Sequence, residues 1–114
     1  MLLLISDPAD EPTPGSAEFD PYMGEWFAYS TALDEAGAMV SGEALHGTKT
    51  ATTVQVRDGQ RIVTDGLFIE SKEVIAGYYV IDVANLDEAL DWAAKVPNAT
   101  FGTVEVRPVI QFDD

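Results

Sequence analysis

The chain has 114 residues and no cysteine, and 20 acidic against six basic side chains give it a formal net charge of −14. This length predicts a single domain, residues 1–114, with its own core. The lack of cysteine excludes a disulfide framework, a zinc ribbon and a thiol nucleophile. The negative field argues against nucleic acid and anionic membranes as partners. Neither a membrane span nor a signal peptide is recognisable, so we expect a cytoplasmic protein.

The N-terminal part predicts a strand, a loop and a helix. Residues 2–5 form a short apolar run typical of a buried strand, and residues 10–16 are rich in Pro, Gly and acidic residues, which favours a loop. Asp20 and Pro21 resemble an N-cap followed by the first helical residue, and Gly37 is a suitable stop. Between them, residues recur at helical spacing: Met23, Trp26, Phe27, Ser30 and Leu33.

The remaining elements complete an α+β pattern. We predict a strand over 39–45, a hairpin of 52–56 and 61–64 around Asp58-Gly59, and a strand over 74–83. Asn85 and Glu88 resemble a capping box that opens a second helix, and residues 103–110 form a last strand. The buried stripe expected for that helix is Leu86, Ala89, Leu90, Ala93 and Val96. The order is that of a ferredoxin-like βαββαβ fold with a β-hairpin insert.

The strand over 74–83 is apolar on both faces, because Ile75, Tyr79 and Ile81 alternate with Ala76, Tyr78 and Val80. In this topology both helices cover the same face of the sheet. A second subunit, the loop over 10–20 or a ligand must therefore shield the other face, and a twofold homodimer is the simplest solution. Charged residues on the last strand, Glu105 and Arg107, are also compatible with a pocket there.

Residues 64–73, with Asp65-Gly66-Leu67-Phe68 at their centre, and the following Gly77-Tyr78-Tyr79 resemble the signature of YCII-related proteins of the DGPF type. The resemblance extends over most of the chain, but Leu67 stands where the family has Pro. It implies a ferredoxin-like fold of the dimeric α/β-barrel type and no established activity. For some members a His–Asp pair in a cleft is the proposed functional centre, and some carry a link to sigma-factor genes.

His46 and Asp65 are the candidate catalytic residues. His46 is the single histidine, and it is either a general base oriented by Asp65 or a strand-end side chain without a chemical role. Asp65 either caps a tight turn or directs its carboxylate into a cleft. The family motif raises the weight of the second alternative.

Four residues are candidates for ligand binding: Tyr79, Phe68, Glu70 and Arg107. Glu70 and Glu73 flank Lys72, which indicates an ion pair on a solvated loop rather than a catalytic carboxylate pair. We predict no metal, because one histidine and no cysteine cannot supply the usual ligand sets. We predict no other cofactor, since no glycine-rich phosphate loop follows a strand.

The leading hypothesis is a homodimer that binds a small organic molecule near Asp65, with acid–base chemistry as an extension. The alternative is a non-catalytic module that presents its acidic surface to a protein partner, in regulation linked to sigma factors.

Overall fold

The computed structural model describes residues 1–112; Asp113 and Asp114, the end of the predicted domain, lie outside the described residues. The strands are β1 (Leu2–Ser6), β2 (Met39–Ala44), β3 (Thr52–Arg57), β4 (Gln60–Asp65), β5 (Val74–Ile81) and β6 (Thr103–Val106). The helices are α1 (Phe19–Glu35) and α2 (Leu86–Ala94), with single 3₁₀ turns at Pro8–Asp10, Thr48–Thr50 and Pro97–Thr100. The predicted α+β, ferredoxin-like class is confirmed.

Four strands form an antiparallel sheet in the order β2-β5-β1-β6. This order places β1 and β5, the two most apolar strands, at the centre. The register pairs Leu2 with Tyr79 and Leu4 with Gly77, and it shifts after Leu4. At the edge, β6 ends at Val106, although Arg107 still donates its backbone N–H to the carbonyl of Met1. The strand is shorter than predicted because Pro108 has no N–H to continue the ladder.

Strands β3 and β4 form a separate two-stranded sheet. They are joined by Asp58 and Gly59, whose φ angles are 52° and 75°. Positive φ at both central residues defines the tight turn that matches the twist of a hairpin, and Asp-Gly is among its preferred sequences. The predicted hairpin insert is therefore confirmed.

Helix α1 begins at Phe19, two residues before the predicted start, and Glu18 makes no side-chain cap. Pro21 is tolerated as the third residue of the helix because the first four N–H groups of a helix have no internal partner. The predicted stop at Gly37 is confirmed. Gly37 has φ 70° and donates to the carbonyl of Asp34, while Ala38 donates to that of Leu33. These are the two bonds of a Schellman motif.

Helix α2 is capped by Asn85, whose Oδ1 accepts from the N–H of Glu88 at 2.9 Å. Glu88 in turn accepts from the N–H of Ala84. The capping-box prediction is confirmed, but the buried stripe is narrower than expected. Ala89, Ala93 and Val96 are buried, whereas the side chains of Leu86 and Leu90 are exposed.

The core lies between the two helices and one face of the four-stranded sheet. Its buried members are Leu2, Leu4, Tyr29, Leu33, Ala38, Tyr79, Ala93 and Val96. The Tyr29 hydroxyl joins the helices by donating to the carbonyl of Trp92 at 2.8 Å. Alternation along the strands places another apolar set on the opposite face: Leu3, Ile5, Ile75 and Val80. These side chains are partly or largely exposed, and we call this surface the open face.

Candidate functional site

A cavity of about 630 Å³ lies between α1, the chain over residues 11–14 and the β2 side of the sheet. Helix α1 contributes one aromatic face, strand β5 contributes Tyr79, and Glu11, Pro12 and Pro14 close one side. Apolar and aromatic side chains dominate its walls, with a few hydroxyl and carboxyl groups among them. That composition and size are typical of small-molecule sites, which span roughly 300–1,000 Å³.

The aromatic wall comes from the helical spacing of α1. Tyr22 and Trp26 are four residues apart, so they lie on the same face of the helix. Their ring centroids are 5.9 Å apart, and the planes of the two rings are nearly perpendicular. Trp26 also lies nearly parallel to Tyr79, with centroids 6.5 Å apart. The three rings form a continuous wall from helix to sheet.

Tyr79 is both a core residue and a wall of the cavity. Its hydroxyl is 2.8 Å from the hydroxyl of Ser30, and either group can donate. Gly42 on β2 allows the ring to lie across the edge strand, because a Cβ at Gly42 would come within 2.6 Å of Tyr79 Cδ1. Gly42 pairs with Tyr79 across β2 and β5, and the ring of Tyr79 occupies the space that a side chain at Gly42 would need.

The carboxylate of Glu11 is held at the cavity by Tyr22, whose hydroxyl donates to Glu11 Oε1 at 3.2 Å. Burial of the phenol, together with the negative charge of Glu11, raises the pKa of Tyr22 to about 12. Tyr22 is therefore a neutral donor at physiological pH. The bond positions the Glu11 carboxylate without cancelling its charge.

Asn98 contributes to the inner wall and is only 1% exposed. Its Nδ2 donates to the carbonyl of Ile5 at 3.2 Å, which orients the amide. Its Oδ1 is buried and receives no hydrogen bond from residues 1–112. A buried carbonyl without a donor costs free energy, and because the oxygen itself is enclosed, it is not an acceptor that a ligand in the cavity could reach.

The candidate catalytic pair lies elsewhere. Asp65 is the last residue of β4 and His46 follows β2; both side chains are exposed, and neither lines the cavity. After Asp65, Gly66 turns the chain at φ 90° and its carbonyl accepts from the Thr53 hydroxyl.

The predicted ligand-binding residues are divided. Tyr79 lines the cavity, whereas Phe68, Glu70 and Arg107 are exposed and do not. Glu70 instead borders a shallow depression with Lys49, Lys72 and Leu67.

The comparison with known proteins agrees with this fold. A family model of the YCII-related domain matches residues 1–113. The chain belongs to the YCII-related family. An uncharacterised protein of Rhizobium meliloti (strain 1021) is 46% identical over 77 residues, which cover 66% of this chain. The chain spans 62% of the length of that relative.

Several residues of the YCII-related cavity have no motif to mark them. Glu11 belongs to the predicted loop, and Asn98 belongs to a 3₁₀ turn after α2. The helical spacing did indicate that Trp26 and Met23 share a face, but it could not show that an opening lies beside them.

Two absences hold over residues 1–112 of this YCII-related chain. Within that range no three His, Asp or Glu side chains are grouped so that they could hold a metal ion. No helix in the same range is long and apolar enough to cross a bilayer.

Proposed function

We propose that this YCII-related protein binds a small organic molecule in the cavity beside α1 and acts as a homodimer. The observation that carries the binding proposal is the cavity itself, with aromatic walls of Tyr22, Trp26 and Tyr79 and polar groups at Glu11 and Ser30. Apolar walls supply most of the binding free energy, while a few polar groups select the ligand.

The open face supports the homodimer. Its apolar residues Leu3, Ile5 and Ile75 lie on the central strands, whereas the charged residues Glu43 and Glu105 lie on the edge strands β2 and β6. An apolar centre with a charged rim is the usual anatomy of a protein interface. A second copy brings an equivalent apolar surface in a twofold arrangement.

Acid–base chemistry by Asp65 and His46 stays a prediction, since neither residue lines the cavity of its own chain. The binding proposal does not depend on them. The alternative of a protein-interaction module also stays a prediction, based on the acidic surface.

The binding proposal is tested with a chemically mixed library of small molecules, read out by tryptophan fluorescence. The chain has two tryptophans; Trp26 lines the cavity, whereas Trp92 packs against Tyr29. We expect a ligand to change the fluorescence of Trp92→Phe, which keeps Trp26, and to leave that of Trp26→Phe unchanged. A response confined to Trp26→Phe, or none from either variant, contradicts binding in this cavity.

A second pair of variants tests the position of the site. Ala44→Phe adds a ring at a cavity-lining position, and Val40→Phe adds one to the same strand outside the cavity. Both native side chains are exposed. We expect Ala44→Phe to weaken binding and Val40→Phe to bind as the wild type does.

The homodimer is tested by light scattering at micromolar concentration. We expect the mass of two chains for the wild type and of one chain for Ile75→Asp, which charges the open face. Val54→Asp on the hairpin is the control, because Val54 and Ile75 are similarly exposed, at 57% and 50%. A wild type with the mass of one chain contradicts the homodimer and leaves the binding proposal to its own test.

A further inference from the structure

The walls of the cavity carry negative charge without any positive charge. Glu11 is a charged lining residue on the α1 side of the cavity, and the lining residues include no Lys, Arg or His. Glu43 also borders the cavity, but it pairs with Tyr78, so its side chain lies on the open face. A site for a carboxylate or phosphate ligand normally supplies a cationic partner. The charge of this lining favours the opposite kind of ligand.

We propose that the cavity selects an organic cation, namely an ammonium group on an apolar or aromatic body, with Glu11 as its counter-charge. This inference rests on the proposed binding function and names the class of its ligand. It concerns recognition only and involves no chemical step.

Glu11 is suited to this role by its position and its partner. Its side chain is half-buried, and the described partner of its carboxylate is the neutral hydroxyl of Tyr22. A carboxylate in such a setting gains most from an incoming cation, because charge-assisted hydrogen bonds are stronger where water is partly excluded.

The aromatic wall provides a second attraction. The faces of Trp and Tyr rings attract cations within about 6 Å of the ring centroid. Trp26 and Tyr79 lie in the same wall as Tyr22, which holds Glu11. The cavity thus offers aromatic faces to a cation in addition to Glu11, while the apolar body of the ligand packs against Met23 and Met39 in the same lining.

The field around the site has the same sign. Residues 1–47, which include α1 and the chain over 11–14, contain nine acidic side chains and neither Lys nor Arg. Such a field raises the local concentration of cations and lowers that of anions. The charge of the cavity wall and the charge of the surrounding surface thus both favour an organic cation.

The test compares three probes with one phenyl body and different head groups: 2-phenylethylamine, 3-phenylpropionate and 2-phenylethanol. Affinities are measured by calorimetry, with the Trp92→Phe fluorescence signal as a check that binding occurs in the cavity. We expect the amine to bind at least about tenfold more tightly than either other probe, since a hydrogen bond to a charged group is worth that factor. We also expect its affinity to fall as salt is added.

Glu11→Gln is the matched variant, because the amide oxygen still accepts from Tyr22 while the charge is lost. Glu35→Gln, at the exposed C-terminal end of α1, removes the same charge away from the cavity. We expect Glu11→Gln to abolish the preference for the amine and Glu35→Gln to preserve it, with unchanged thermal unfolding in both.

The outcomes separate the two proposals. Tighter binding of phenylpropionate or phenylethanol in the cavity overturns the organic-cation inference and leaves the binding function standing. Equal loss of amine affinity in Glu11→Gln and Glu35→Gln overturns the role of Glu11. If no probe and no compound of the mixed library produces a Trp26 signal, both proposals fail together.

Discussion

The cavity beside α1 and the segment of residues 48–73, here called the hairpin segment, differ in charge and in burial. The hairpin segment contains four of the six basic residues (Lys49, Arg57, Arg61 and Lys72) and four acidic ones, so it is formally neutral. The rest of the chain carries the whole charge of −14. The cavity is built on a packed core, whereas every residue of β4 is exposed.

A recognisable sequence segment and a cavity are therefore separate properties of this chain. Asp65 and Phe68 belong to the segment on which the sequence resemblance was based, yet they lie outside the cavity. The cavity depends on Glu11, Trp26 and Tyr79, which come from a loop, a helix and a strand and are brought together by packing.

Truncating a core side chain should be far more costly than truncating one on the hairpin. Leu33 is fully buried, whereas Val63 is 54% exposed. We expect Leu33→Ala to lower the free energy of unfolding by about 2–5 kcal/mol and Val63→Ala by less than about 0.5 kcal/mol. Urea denaturation followed by circular dichroism measures both. A loss of several kcal/mol in Val63→Ala would show that the hairpin is packed against something in solution.

Two glycines should respond oppositely to the same substitution. A Cβ at Gly42 meets Tyr79 Cδ1 at 2.6 Å and the Tyr78 carbonyl oxygen at 3.1 Å, whereas a Cβ at Gly24 in α1 meets nothing within 4 Å. We expect Gly42→Ala to destabilise by about 1–3 kcal/mol and to weaken ligand binding through displacement of the ring. Gly24→Ala should stabilise by about 0.5–1 kcal/mol. Thermal unfolding of both variants checks the sign of each change in stability. If Gly42→Ala were as stable as the wild type, the Tyr79 ring would have to move aside at little cost in free energy.

A substitution in the turn of the hairpin should destabilise the hairpin without affecting the cavity. Gly59 has φ 75°, in the left-handed region where a Cβ is strained. We expect Gly59→Ala to cost about 1 kcal/mol and to speed amide hydrogen exchange in β3 and β4. Exchange rates in α1 and ligand affinity should remain as in the wild type. Weaker binding in this variant would show that the hairpin segment and the cavity are coupled.

High pH should lower the stability of the protein only slightly. All four tyrosines lie outside the hairpin segment, so this loss should arise in the rest of the chain. Burial raises the pKa of Tyr29, and burial with the charge of Glu11 raises that of Tyr22 to about 12. The folded state thus favours the neutral phenols. Their contribution to stability is complete below the ordinary pKa of about 10 and is lost as the pH rises towards 12.

This loss is measured as the change in the free energy of unfolding of the wild type and of Tyr22→Phe from about pH 9 to about pH 12, an interval around the ordinary tyrosine pKa. We expect the variant to lose less stability over that interval than the wild type. An identical decline in both proteins would assign the pH dependence to other groups.

Local sequence signals predicted the elements where one residue type decides the backbone. Gly37 ends α1, Asp58-Gly59 turns the hairpin and Asn85 caps α2, each through bonds or φ angles within a few residues. The prediction was wrong for Leu86 and Leu90, which are exposed. Spacing identifies the face of a helix, but the width of the buried stripe depends on how closely the helix approaches the sheet.

The α+β order, the family and the negative charge can be read from the order of residues, because they follow from composition, period and short-range turn chemistry. The contacts of Glu11 with Tyr22, and of Tyr79 with Trp26 and Ser30, are visible only in the folded chain. The two Tyr79 contacts join residues about fifty positions apart and depend on how α1 packs on β5. The Glu11 contact depends on the path of the chain into α1. A cavity is the space left between packed elements, and that space has no signal in the order of the residues that surround it.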